Sequence, residues 1–133
     1  MLVTPVQATT NPSSHDNRQI ECLARNAYFE ARGEGVRGQE AVSHVVMNRV
    51  RNKRFAPTAC DVIYQRNRGT CQFSWVCTPQ PVRDRSLYEK CKDVAKRVYY
   101  GRVSDSTNGA LFFRSIRLGS IKGLKIGNHL FYR

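Results

Sequence analysis

The residues best suited to chemistry are two glutamates, Glu30 and Glu34, set four apart in the stretch Asn26, Ala27, Tyr28, Phe29, Glu30, Ala31, Arg32, Gly33, Glu34, Gly35. Upstream, Ile20, Leu23, Ala24, Ala27, Tyr28 and Ala31 recur at the three- and four-residue spacing of a helix with one buried face. Glu30 adjoins that stripe, so its carboxyl is expected at the rim of a core. Removal from water penalises the charged form and raises a carboxyl pKa. A glutamic acid kept protonated near neutrality can give a proton to a leaving oxygen, as cleavage of a glycosidic bond requires. A plainer reading stands beside this one: glutamate favours helices, and most glutamates near a helix end are solvated. Gly33 and Gly35 flank Glu34, and glycine is poor inside a helix. The helix is therefore expected to stop near Arg32, with Glu34 opening a turn.

The elements that must position these groups are mostly helical by pattern. The first helix is expected over about residues 17–32, capped by Asp16 or Asn17. Residues 1–16, polar and rich in turn formers, read as a flexible tail. A second helix, from about residues 36–39 to 52, carries Ala41, Val42, Val45, Val46 and Val50 on one face and His44 and Asn48 on another. A lone helical histidine is more often a hydrogen-bonded structural group than a ligand. Pro57 ends the helical periodicity; residues 60–65 form a short apolar element, and residues 66–69 read as a basic loop. In residues 71–77, Phe73 and Trp75 alternate with Gln72 and Ser74, which suits either a sugar-binding surface or core packing. The clearest helix covers residues 84–100, with Ser86 and Glu89 as a capping box, Leu87, Cys91, Val94, Ala95 and Val98 as its stripe, and Gly101 as its stop. After a turn at residues 105–109, residues 110–114 and 126–133 read as strands. The expected fold class is mainly α (α+β): one domain over residues 17–133 with a small strand element near its C-terminus.

At 133 residues the chain can bury one real core and is too short for two ordinary domains. Its 41% hydrophobic and 24% charged residues are those of a soluble globular protein. No apolar run approaches the ~20 residues of a membrane span. Residues 1–17 lack the basic start and apolar centre of a secretory signal. A net charge of +12 favours polyanionic partners such as nucleic acid, anionic membrane surfaces or wall polymers. The arginines are scattered and no nucleic-acid-binding signature is present, so no specific nucleic-acid partner is expected. The five cysteines form no C-x-x-C pair, and neither a metal nor a cofactor is expected. Cys22 and Cys91 fall on helix stripes and read as buried thiols. Cys60, Cys71 and Cys77 lie in loop-like sequence, and at least one bridge is expected among them.

Six blocks, in this order, resemble the SleB/CwlJ-type cell wall hydrolases. They are residues 22–34; Gly38, Gln39, Ala41 and Val42 through Asn48, Arg49 and Val50; residues 60–65; residues 71–75; residues 107–110 with Phe112 and Phe113; and residues 126–132. The resemblance implies a lysozyme-like, mainly helical domain acting on the glycan strands of peptidoglycan; separately, a monomer is expected. The catalytic glutamate of the pattern N-x-x-x-E-A-R-G-E lands on Glu30. The implied reaction is that of a lytic transglycosylase, cutting between N-acetylmuramic acid and N-acetylglucosamine and leaving a 1,6-anhydro end. A hydrolytic muramidase would need a second carboxylate, for which Glu34 and Asp105 are the candidates. Gln72, Ser74, Trp75, Asn108 and His129 fall in the shared blocks and are expected to line the sugar cleft. Arg114 stands where many relatives are expected to carry histidine. A short catalytic domain without a signal peptide suits a phage lysin or virion component reaching the wall or periplasm by a separate route; a bacterial wall-remodelling enzyme is the other origin. A reading from a different class is a non-catalytic basic module that binds wall or nucleic acid and leaves purified sacculi uncut.

Overall fold

The computed structural model describes residues 13–118 and 122–133, so most of the tail expected at residues 1–16 lies outside it. Helix α1 (Ser14–Ala31) starts earlier than its apolar stripe suggests. Ser13 is the N-cap, its hydroxyl accepting from the Asp16 amide at 3.1 Å, and Asp16 instead places its charge in the first turn. Gly35, at φ 74°, makes the corner into α2 (Gly35–Val50), a conformation that side chains with a Cβ rarely adopt. Helix α3 (Ala59–Ile63) is capped by Thr58. The expected basic loop is a hairpin, β1 (Arg66–Asn67) against β2 (Thr70–Cys71), turned by Arg68 and Gly69, both at positive φ. A single turn, α4 (Ser74–Cys77), follows, then α5 (Arg85–Tyr99). The cap of α5 is Asp84, which accepts from the Leu87 amide at 3.0 Å, rather than the expected pair Ser86 and Glu89.

The C-terminal portion is a three-stranded antiparallel sheet in the order β3 (Phe112–Ser115), β5 (His129–Tyr132), β4 (Leu124–Ile126). A 3-10 turn, Ile116–Leu118, follows β3. The segment expected as one last strand is thus two strands folded about Gly127 and Asn128, with Ile126 opposite His129. The register of β3 on β5 runs from Phe112 opposite Tyr132 to Ser115 opposite His129.

Two apolar clusters hold these pieces together. The larger joins α1, α2, α3 and α5 through Leu23, Ala27, Tyr28, Val46, Val62, Ile63, Val94 and Val98. Each fully buried Leu, Ile or Val contributes about 1.5–3 kcal/mol relative to exposure. The smaller seats the sheet on the opposite face of α2, with Ala41, Val42 and Val45 against Ala110, Ile126 and Phe131. No helix among the described residues is long and apolar enough to cross a membrane.

The cysteines form two bridges, Cys22–Cys60 and Cys71–Cys77, and leave Cys91 as a free, buried thiol. The expected bridge among the loop cysteines is present as Cys71–Cys77. Cys22 is not a buried thiol: α3 packs on α1 and brings Cys60 onto its face. By loop closure, bridges spanning 38 and 6 residues stabilise by about 4 and about 2 kcal/mol.

Candidate active site

A groove of about 360 Å³ lies where α1, α2, the Cys71–Cys77 loop and the sheet meet. Glu30 enters it from the last turn of α1 and Arg49 from the last turn of α2. Gln72, Phe73 and Ser74 come from the bridged loop, Phe113, Arg114 and Ser115 from β3, and His129 from β5. Phe113 ties the walls together, its ring 6.2 Å from Phe73, 5.2 Å from His129 and 5.7 Å from Phe131.

Burial alone pushes the Glu30 carboxyl up to about 7. At neutral pH it is therefore populated both as an acid that can donate and as a base that can accept. The cause is its helical position: Ala27 and Ala31 on the same turn are fully buried, and the groove is faced by Phe73 and Phe113. His129 is also desolvated, and burial lowers its pKa while the Glu34 carboxylate opposes that shift. Its Nδ1 lies 3.7 Å from Glu34 Oε1.

Arg49 was not read from the sequence as a site residue. It is 2% exposed and donates from Nε to the Leu111 carbonyl at 2.7 Å, which fastens the start of the sheet to α2. Its guanidinium carbon lies 5.1, 5.3 and 5.7 Å from the ring centroids of Phe55, Phe112 and Phe73. Burial lowers its pKa. A signal for this was present in the sequence: Arg49 falls four residues after Val45 and three after Val46, on the buried stripe itself.

The two other carboxylates considered do not line the groove. Glu34 turns toward the β4–β5 corner, where both its oxygens accept from the Asn128 amide at 3.1 and 3.3 Å. Gly38 and Gly127 form its cradle, and a Cβ at either position would run into the Glu34 side chain. Asp105 organises the turn that follows it, accepting from the Thr107 amide and hydroxyl, the Gly109 amide and Asn48 Nδ2 at 2.6–2.9 Å. Burial would raise its pKa, but these hydrogen bonds outweigh it and hold the carboxyl below its ordinary range.

Of the five residues expected to line a sugar cleft, Gln72, Ser74 and His129 share the groove with Glu30. Trp75 instead stacks on Phe29, centroids 5.1 Å apart, and donates from Nε1 to Asn26 Oδ1 at 2.8 Å. Of the two uses open to the aromatic pair, Trp75 takes core packing, whereas Phe73 is both core and groove wall. Asn108 sits outside the groove at φ 56°, its carbonyl accepting from Arg133. Arg114 does line the groove. His44 is buried in α2 and is not among the residues lining the groove.

Residues 33–132 match the family described as Cell Wall Hydrolase, the match opening just after Glu30. The chain is 28% identical over 134 residues to a spore cortex-lytic enzyme of Bacillus cereus, covering 94% of this chain and 48% of that protein. It is 36% identical over 102 residues to a spore cortex-lytic enzyme of Bacillus subtilis, covering 77% of this chain and 29% of that one. It thus spans about half the length, or less, of these curated relatives. In structure it is similar to the catalytic domain of the Bacillus cereus SleB protein, with a TM-score of 0.71 at 28% identity over 96% of this chain and 99% of that one. It is also similar to the catalytic domain of the germination-specific lytic transglycosylase SleB from Bacillus anthracis, with a TM-score of 0.69 at 27% identity over 95% and 100% of the two chains. A mainly helical domain with a desolvated glutamic acid above a small antiparallel sheet is thereby placed: the chain belongs to the cell wall hydrolase family and has the fold of the SleB catalytic domain.

Proposed function

We propose that this protein cleaves peptidoglycan glycan strands between N-acetylmuramic acid and N-acetylglucosamine as a lytic transglycosylase, with Glu30 as both acid and base. The observation that carries this reading is that Glu30 is the one carboxyl among the residues lining the groove and is held near pKa 7 by burial. Protonated Glu30 donates to the glycosidic oxygen as the bond from the muramic C1 breaks. The resulting carboxylate then takes the proton of the muramic 6-hydroxyl while that oxygen bonds to C1. The acid is regenerated, a 1,6-anhydro ring closes, and no water is consumed. Gln72, Ser74 and His129 supply hydrogen bonds to the sugars, and Phe73 and Phe113 an apolar wall.

A hydrolytic course would need a second carboxylate to activate water or trap the sugar. The engagement of Glu34 with Asn128, and of Asp105 with its own turn, speaks for the transglycosylase. The lytic transglycosylase from Bacillus anthracis among the structural relatives supports the same choice. The site of action is the bacterial wall or spore cortex; these bacterial relatives lend no support to phage-assisted release. Digestion of purified sacculi followed by mass spectrometry of the released muropeptides tests the reading. Anhydro ends that disappear with Glu30→Gln are expected; reducing ends would replace the proposal with a muramidase, and uncut glycan would reject both.

A further inference from the structure

A second cavity, of about 420 Å³, is lined by Leu111, whose carbonyl Arg49 holds, and shares no lining residue with the Glu30 groove. The end of α2 and the turn after it supply Asn48, Arg51, Asn52 and Arg54; Leu111 and Arg133 close the other side. The side-chain amide oxygens of its lining, and the carbonyls around it named next, each already accept a hydrogen bond. The Asn108 carbonyl accepts from Arg133 Nη2 and Nε at 2.7 and 3.1 Å. The Leu111 carbonyl accepts from Arg49 Nε, and the Ala110 carbonyl from Asn48 Nδ2 at 3.0 Å. Asn52 Oδ1 accepts from the Arg54 amide at 2.9 Å and from Arg54 Nε at 3.4 Å, and Asn48 Oδ1 accepts from Arg51 Nη1 at 3.4 Å. Asp105, the nearby carboxylate, is saturated by Asn48, Thr107 and Gly109. Among the described residues, neither ion pair includes Arg51, Arg54 or Arg133. The lining thus brings three arginines and no carboxylate side chain to one space, with guanidinium N–H groups beyond those already bonded, a donor-rich set that fits an oxyanion.

We propose that this cavity is an oxyanion-binding subsite, holding a carboxylate or phosphodiester of the wall polymer beside the strand being cut. Its placement suits that task. Asn48 and Arg49 are adjacent on α2 and face different cavities, while Leu111 and Phe113, two residues apart on neighbouring chain, line one each. Two residues of extended chain span about 7 Å, so an anionic group can be gripped while a sugar lies at Glu30. Arg133 is held by its carbonyl contact before any ligand arrives, which reduces the ordering needed on binding. The nature of the polymer rests on the proposed function; the existence of the subsite does not.

The test uses Glu30→Gln protein for binding and the wild-type background for cutting, each with and without Arg51→Ala/Arg54→Ala. Both arginines are exposed, and an unchanged unfolding midpoint confirms that the fold survives. Inorganic phosphate titrated into labelled Glu30→Gln protein is expected to shift amide resonances of residues 51–54 and 109–111 saturably, and not in the arginine double variant. On sacculi the double variant is expected to bind about tenfold more weakly, the loss of charge-assisted donors, and to show raised KM with unchanged kcat. If sacculi stripped of phosphodiester polymers abolish the difference, the ligand is the phosphodiester; if amidated sacculi abolish it, a carboxylate. Resonances unmoved by phosphate, or a difference that persists on both treated preparations, would overturn the subsite. If the wild type cuts no sacculi, the functional reading fails while the phosphate titration still judges the cavity.

Discussion

The two halves of the molecule are held by different means. Between α1, α2, α3 and α5, packing is continuous and apolar, with Leu23, Ala27, Val62 and Val98 fully excluded from solvent. The sheet and turns after residue 105 are short, and their small apolar seat on α2, through Ala110, Ile126 and Phe131, is supplemented by single polar fastenings: Arg49 to Leu111, Asn48 to Ala110, Asp105 to its turn and Glu34 to Asn128. A distributed contact tolerates the loss of one member, whereas a point contact such as Arg49 to Leu111 does not, because the carbonyl left behind is a buried, unsatisfied acceptor. The groove lies on the seam, taking its acid and Arg49 from the first half and its remaining walls from the bridged loop and the sheet.

The largest effect is expected at Glu30, where the helical half carries an uncompensated polar cost. Glu30→Gln should lower the rate of glycan cleavage about 10³-fold, the range of a lost general acid. Its carboxyl is raised from 4.5 to about 7 on folding, so the cost is absent below about pH 4.5, grows as pH rises, and is complete above about 7. The variant should therefore match the wild type in urea unfolding at pH 4 and exceed it at pH 8 by on the order of 3 kcal/mol. Equal stability at both pH values would mean that the carboxyl is not desolvated.

Next comes Arg49→Met, expected to destabilise by about 3 kcal/mol through loss of the Leu111 anchor and the ring contacts. Hydrogen exchange is the discriminating measurement: amides of β3 and β5 should lose protection while those of α5 keep theirs. Equal loss in α5 would erase the distinction between halves. Asp105→Ala should cost about 2 kcal/mol at pH 7. Because hydrogen bonds hold this carboxyl below its ordinary range, its contribution is present above about pH 4 and lost as pH falls through its lowered pKa, so the gap between variant and wild type should narrow with acidification. A constant gap between them would contradict that account. Cys71→Ser/Cys77→Ser is expected to have an effect of the same size, about 2 kcal/mol in denaturant unfolding. It should raise KM on sacculi because Gln72 and Ser74 ride on the closed loop; an unaltered KM would detach that loop from binding.

The same contrast explains what was legible in the sequence. Stripes such as Ile20, Leu23, Ala27 and Ala31 repeat, so α1, α2 and α5 could be located from pattern, along with the rim position of Glu30. Caps were less visible: Ser13 and Asp84 lie outside the stripes they start, and Ser86 with Glu89 offered a competing signal. Trp75 and Asn108 carry residue types suited to sugar, but their destinations depend on Asn26 and Arg133, far away in sequence. Pairing of Cys22 with Cys60 likewise needed the docking of α3 on α1, which no local pattern encodes. Gln72, Ser74 and His129 were found through the order of the resembling blocks, not through spacing.

The seat of Glu34 between Gly38 and Gly127 makes the α1–α2 corner and the β4–β5 corner one mechanical part. A shift of either would be passed on through the Glu34 carboxylate, which lies 3.7 Å from His129 Nδ1 in the groove wall. Insertions tolerated elsewhere on the surface would here act as a lever on the groove, so grafts and length variants belong at other bends.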